Sequence, residues 1–193
     1  MNQATKDLFQ AAMSGNIEGI QLALKEGADI NAVDQSHESA LSIAIFYCDD
    51  DQLLMLTTAY LLDHGADPDF RGKDNTGVLF HAALRMNPEL MKMLLERGAN
   101  PNIILDGDES LYDWSEFTYR YHAYDVPSHA LEPSLGMDLP LFPTDEDRAS
   151  EESWLRFLDR CADVAGVTPP SILWVMRQYG AKTASELNNP KYS

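Results

Sequence analysis

Carboxylates are the first candidates for chemistry in this sequence, with 31 acidic residues against 14 basic ones. Three clusters stand out: Asp49-Asp50-Asp51, Asp106-Gly107-Asp108-Glu109 and Asp145-Glu146-Asp147. Clustered oxygens hold a hard divalent cation only when several of them are spaced along a loop and converge. The first cluster reads as an acidic finger or cation site, or as a solvated junction that caps a helix starting at Gln52. The second lacks the remaining ligand positions of a calcium loop and reads as a turn. The third sits in a loop that also carries Pro127, Pro133, Pro140 and Pro143. The histidines (His37, His64, His81, His122 and His129) form no H-E-x-x-H pattern, and Cys48 and Cys161 form no C-x-x-C pattern. There is no glycine-rich phosphate loop and no G-x-S-x-G elbow. The expectation is a chain that is not an enzyme, with no catalytic residue, no metal site and no cofactor.

Charge narrows the choice of partner. The formal net charge is −17, and residues 106–152 hold 13 acidic side chains against two basic ones, Arg120 and Arg148. So acidic a surface repels phosphate backbones and anionic membranes, which argues against a nucleic-acid or membrane partner, and it attracts a basic protein face. Two thiols without a pairing pattern suit a reducing compartment. The first residues lack the basic start and apolar run of a signal peptide, and no apolar run is long enough to span a membrane. A cytoplasmic, monomeric protein is expected.

The elements that position these residues come from a repeat. Leu24-Lys25-Glu26-Gly27-Ala28-Asp29 recurs as Leu62-Asp63-His64-Gly65-Ala66-Asp67 and as Leu95-Glu96-Arg97-Gly98-Ala99-Asn100. A fourth copy reads Arg177-Gln178-Tyr179-Gly180-Ala181-Lys182. The glycines lie 38, 33 and 82 residues apart, so the second copy carries five extra residues and the fourth carries 49. Upstream of them stand Ala11-Ala12 followed by Gly15, then Ser39-Ala40-Leu41-Ser42, then Gly77-Val78-Leu79-Phe80-His81-Ala82-Ala83. This pattern resembles the ankyrin repeat, with its Thr-Pro-Leu-His start, its Ala-Ala pair and its closing Gly-Ala. The family's proline is missing each time.

The resemblance is clear over residues 4–104. It implies an all-α fold, an ankyrin-repeat solenoid of about four helix-turn-helix repeats, as one domain over residues 1–193. The repeats span about 4–34, 35–70, 71–104 and 105–187, the last interrupted by a helical and loop insert over about 125–168. Gly15, Gly27, Gly65 and Gly98 should end helices in the left-handed conformation. Leu90, Met91, Leu94 and Leu95 have the spacing of a buried helix face, as do Ile20 and Leu24. The polar stretches after each Gly-Ala should form projecting hairpins.

The two inserts differ in kind. The five extra residues near Asp49 should lengthen the junction between two helices. The larger insert follows an aromatic helix over 110–124, in which Trp114, Phe117 and Tyr121 read as core and Tyr119, Arg120 and His122 as the contact face. A second helix should run from Glu151, capped by Ser150, to about Ala165. It places Trp154, Leu155, Phe157, Leu158 and Cys161 on one stripe.

Stacked repeats create an extended binding surface. The candidate partner-binding residues are Gln35, Glu38, Arg71, Lys73, Asn75, Asp108 and Glu109 on the hairpins. Ser42, Tyr47, His81, Arg85, Tyr119 and Arg120 should line the inner helices. The implied function is capture of a protein with a basic surface. Residues 111–187 are also similar to the C-terminal part of small bacterial ankyrin proteins, some of which are encoded as immunity partners of secreted toxins. A self-associating homo-oligomeric scaffold is the alternative, and an enzyme or small-molecule receptor comes last.

Overall fold

The computed structural model describes residues 2–73, 76–105, 107–124 and 139–188. Among the described residues there are ten helices and no strands. Each of the first seven starts where the sequence supplies or omits a cap. Asn2 caps α1 (Gln3–Met13), and Asn16 accepts from the amide of Gly19 at 3.0 Å to start α2 (Ile17–Lys25). Ser39 and Ser42 form a reciprocal capping box on α3 (Ala40–Tyr47). Asp50 caps α4 (Asp51–Asp63), and Asn87 with Pro88 at the first helical position opens α6 (Pro88–Glu96). Ser110 accepts from the amide of Asp113 at the start of α7 (Leu111–Tyr124). Serine thus caps the inner helix in two repeats although the family's proline is missing. Only α5 (Val78–Leu84) opens on Gly77, with no side-chain cap.

Three helices follow. Ser150 and Ser153 cap α8 (Glu151–Ala165) reciprocally, and Gly166 ends it with φ +68°. Next come α9 (Ser171–Gln178) and the single turn α10 (Ala184–Leu187). Helices α1, α3, α5 and α7 pack in sequence as an inner row, while α9 packs against both α6 and α7. The core runs the length of that row. Leu8, Ile20, Leu54, Leu90, Leu111 and Leu173 are all fully buried. The small residues Ala12, Ala44, Ala82 and Ser115 are equally buried and let adjacent helices approach closely.

One polar device recurs at every step. Four residues after Gly27, Asn31 donates to the carbonyl of Gly65 at 3.0 Å and accepts from the amide of Asp67 at 2.9 Å. Four residues after Gly65, Asp69 accepts from the amide of Asn100 at 3.0 Å. Four residues after Gly98, Asn102 donates to Gly180 at 3.2 Å and accepts from the amide of Lys182 at 3.0 Å. Each latch residue is itself held two residues in, by Asp29, Asp67 and Asn100 respectively, in an Asx turn. The latch requires the turn it grips to be left-handed, and Gly27, Gly65, Gly98 and Gly180 all have φ between +85° and +97°.

The five extra residues of the second repeat do not lengthen the junction. Three residues separate the helices in each of the first three repeats: Ser14–Asn16, Cys48–Asp50 and Arg85–Asn87. The addition goes into the helices instead, for α4 has 13 residues where α6 has nine and α3 has eight where α5 has seven. Asp50 and Asp51 extend the helix start, and Leu53 on the added turn rests on Gly15, where a Cβ would come within 2.9 Å. Asp49-Asp50-Asp51 is therefore a capping segment, which favours the solvated-junction reading over a cation site.

The proline-bearing loop over 125–149 lies partly outside the described residues. Over 139–149 it has no helix, yet Leu139, Pro143 and Asp147 are buried. Asp147 accepts from the amide and hydroxyl of Thr144 at 2.8 Å and from Arg160 at 2.6 Å. Those donors hold its carboxyl well below the ordinary aspartate range.

Arg85 carries a structural load that the sequence reading assigned to binding. Its guanidinium donates to the carbonyls of Ile45 at 2.8 Å, Phe46 at 3.0 Å and Cys48 at 2.8 Å, closing the C-terminal end of α3 from the neighbouring repeat. Charge-assisted bonds to helix-end carbonyls each contribute more than neutral ones. Arg85→Ala should lower the unfolding free energy by about 2 kcal/mol, and Arg85→Lys by less, since lysine cannot span three acceptors. Urea denaturation of the three proteins tests this.

Candidate protein-binding surface

The hairpin tips are closed by isolated antiparallel bridges, Val33 with Ser39, Arg71 with Gly77 and Ile104 with Ser110. Gln35, Lys73 and Asp108 are exposed there, and Asp108 adopts φ +63°. Arg71 is half-buried beside Asp69 at 3.4 Å. Glu109 is half-buried, and burial with the nearby Asp113 carboxylate pushes its carboxyl up. Asn75 lies outside the described residues.

The inner-helix candidates fare differently. Tyr47 is exposed. Ser42 is fully buried in the capping box of α3 and Arg85 is committed to helix-end carbonyls, so neither is a free contact group. Tyr119 is buried and donates to the carbonyl of Thr168 at 2.8 Å. Arg120 is half-buried with Glu116 at 3.1 Å. His81 is 7% exposed, with Nε2 3.8 Å from Glu38 Oε1. Glu38 therefore points inward from its hairpin instead of outward.

On α7 the sequence expectation is overturned at Phe117, Tyr121 and Tyr119, while His122 is exposed as expected. Leu111, Tyr112, Ser115, Thr118 and Tyr119 form the buried face, whereas Phe117 and Tyr121 are exposed and Trp114 is half-buried. Both sets have helical spacing, and aromatics populate both, so periodicity alone does not choose. The decision comes from the repeat. Ser115 stands where the second and third repeats have Ala44 and Ala82, which fixes the small-residue side of the helix against its neighbours.

That rotation assembles a feature none of the motifs announced. Aromatic rings run from helix to helix across the inner row. Tyr47 meets Phe46 on α3 at 4.8 Å between centroids, and Phe46 meets His81 on α5 at 4.8 Å. Phe80 on α5 meets Trp114 on α7 at 4.8 Å, and Phe117 meets Tyr121 one turn further on at 6.4 Å. Phe46, Tyr47, Leu84, Phe117 and Tyr121 are between 37% and 49% exposed. Large apolar rings left open in a row across successive repeats have the composition of a protein contact surface.

Comparison with known proteins places the scaffold. A family model described as ankyrin repeats (3 copies) matches residues 8–104, just over half of the chain. The chain belongs to the ankyrin-repeat family. Ankyrin repeats generally serve as protein–protein interaction modules rather than catalysts. The chain is also 37% identical over 103 residues to an Arabidopsis thaliana protein named "Putative E3 ubiquitin-protein ligase XBAT34". That alignment takes in 52% of this chain and 26% of the relative. The ankyrin match ends before α7, so α7 to α10 are described by their packing alone. No helix among the described residues is long and apolar enough to cross a membrane.

His81 sits in the middle of the ankyrin aromatic row and has a pH signature. Its Nδ1 has no hydrogen-bond partner among the described residues. Burial holds its pKa below the ordinary 6.5, with Glu38 and the Ser42 backbone opposing that shift only in part. A lowered pKa means that the unfolded chain binds the proton more readily, so the contribution is complete above pH 6.5 and is lost as pH falls to the lowered value. The melting temperature should therefore drop below pH 6.5, and His81→Gln should remove that part of the drop. Melting curves for both proteins across this window decide it, and an offset independent of pH would count against the assignment.

Proposed function

We propose that this chain is a non-catalytic protein-binding module whose inner-helix aromatic row docks on a protein with a basic surface. The carrying observation is the row itself, open across α3, α5 and α7 on a scaffold of −17 net charge. Aromatic rings supply contact energy, while acidic groups at the tips, such as Asp108, raise the rate of encounter with a cationic partner. Of the sequence candidates, Gln35, Tyr47, Lys73 and Asp108 remain exposed around this surface. Phe46, Phe80, Trp114, Phe117 and Tyr121 join them.

A sharper form is a cytoplasmic immunity protein that occupies a cationic toxin of the producing cell. It is supported by the similarity of residues 111–187 to small bacterial ankyrin proteins and by the charge. A homo-oligomeric scaffold would have to bring two chains of −17 together, which long-range repulsion opposes. A light-scattering mass in solution separates it from a monomer.

The test is capture from the native host with the full chain, at low and high salt, beside a Phe46→Ala/Phe117→Ala/Tyr121→Ala variant. The expected result is a basic protein retained at low salt, released as salt rises, and lost by the variant. Each ring should contribute about 1–2 kcal/mol to binding and little to folding, so the variant's melting temperature should stay near that of the parent. Capture indifferent to ionic strength would remove the electrostatic part of the proposal, and capture retained by the variant would remove the aromatic part.

A further inference from the structure

Away from the aromatic row, a recess of about 670 Å³ opens where α7, the start of α8 and α10 meet. Its walls include Glu116, Arg120, Glu151, Trp154, Arg177 and Glu186. Nearly every charge in it is matched. Arg120 faces Glu116 at 3.1 Å, and the indole of Trp154 donates to the same carboxylate at 2.9 Å. Arg177 clasps Glu186 through two bonds of 2.6 and 3.1 Å. Asp113 accepts from the Ser110 hydroxyl at 2.8 Å and the Ala184 amide at 2.7 Å. At the rim, Glu152 pairs with Arg156, and Arg148 donates to the Pro143 carbonyl.

Glu151 is the exception. It has no ion pair among the described residues, and its buried Oε2 has no hydrogen-bond partner. Burial pushes its carboxyl up, and the charges of Glu116, Glu186 and Asp113 push it the same way, with Arg177 opposing them only in part. The lining of the recess holds five carboxylates, Asp113, Glu116, Glu151, Glu152 and Glu186, against three guanidinium groups, Arg120, Arg148 and Arg177. With Arg156 paired to Glu152 at the rim, the recess is short of one positive charge.

We infer that this recess receives one cationic side chain, an arginine or lysine, from the protein partner, with the Glu151 carboxylate as counter-ion. The inference rests on the reading of the partner as basic. A guanidinium or ammonium brings the missing charge together with several donors. A hard divalent cation fits poorly, because the unmatched oxygens are too few to replace its shell. Holding an uncompensated carboxylate costs stability in the free protein, a cost that a cationic ligand would offset.

The probes are n-butylguanidinium and n-butylammonium chloride, added to the full ¹⁵N-labelled chain, with the indole N–H of Trp154 as reporter. Sodium chloride at equal ionic strength and neutral n-butylurea are the controls. Both cations should shift the indole signal saturably and the controls should not. Glu151→Gln should weaken binding about tenfold or more, because an ionic hydrogen bond is lost. Glu89→Gln, exposed on α6, should leave it unchanged. Glu151→Gln should also melt at or above the parent temperature, which separates lost binding from lost folding. Equal binding by Glu151→Gln, an equal response to n-butylurea, or no response to either cation would overturn the inference. Binding of the probes without salt-sensitive capture of a protein would count against the basic partner and not against the recess as a cation receptor.

Discussion

The structure depends on a side-chain amide or carboxylate reaching from one hairpin to the glycine turn of the next repeat. Asn31, Asp69 and Asn102 do this in turn, and the turns they grip are left-handed. Apolar burial supplies most of the stabilisation of a stacked array, but burial is non-directional and tolerates sliding. A bond from a fixed Asx turn to a fixed glycine turn does not. It sets the register of each repeat on the one before. Asp69 can accept but not donate, so the middle step has one latch bond where the outer two have two each. Arg85 adds three bonds across the α3–α5 pair, where Gly77 leaves α5 without a cap.

Register is what turns scattered aromatics into a surface. Phe46 with His81, and Phe80 with Trp114, join rings from three helices, and only a fixed offset between repeats lets each pair meet at 4.8 Å. The latch that spans the largest gap matters most here. Asn102 holds Gly180 across 78 residues, so α9 packs on α6 much as an outer helix would if nothing intervened in the chain. α8 is accommodated beside this stack, not within it. Its apolar stripe of Trp154, Leu155, Phe157, Leu158 and Cys161 is buried, and polar bonds from Trp154 to Glu116 and from Trp174 to Asp159 tie it to α7 and α9.

Much of this was legible in the sequence. The Gly-Ala phrase located the outer-helix ends, and Ser150 and Gly166 marked both ends of α8. What failed did so for identifiable reasons. Three consecutive aspartates suggest a lengthened junction for the five extra residues, yet an aspartate is also a good N-cap, and a helix lengthens at less cost than a buried junction swells. The contact face of α7 was misplaced because an aromatic on every second or third residue carries no clear phase. Aligning Ser115 with Ala44 and Ala82 would have recovered it. Ser42, His81 and Arg85 stand at inner-helix positions that predict groove-lining contacts. Each is instead satisfied, wholly or partly, by a group in the chain: a capping box, a carboxylate and three helix-end carbonyls.

The distribution of charge changes meaning once the fold is known. The density of acidic residues over 106–152 suggests a negative surface. Several of them are internal instead, for Asp113, Glu116 and Asp147 are held by hydrogen bonds or ion pairs, and Glu151 lies in a recess. Charges spent on internal partners contribute little to a long-range field, whereas exposed ones such as Asp108, Asp145 and Glu146 contribute fully until salt screens them. Attraction of the proposed basic partner would therefore have two ranges. A diffuse field acts during encounter, and one unmatched carboxylate at close quarters can tell a cationic side chain from a merely polar one. The diffuse part would confer rate, and the local part selectivity, because a wrong neighbour would leave the half-buried Glu151 without a counter-charge.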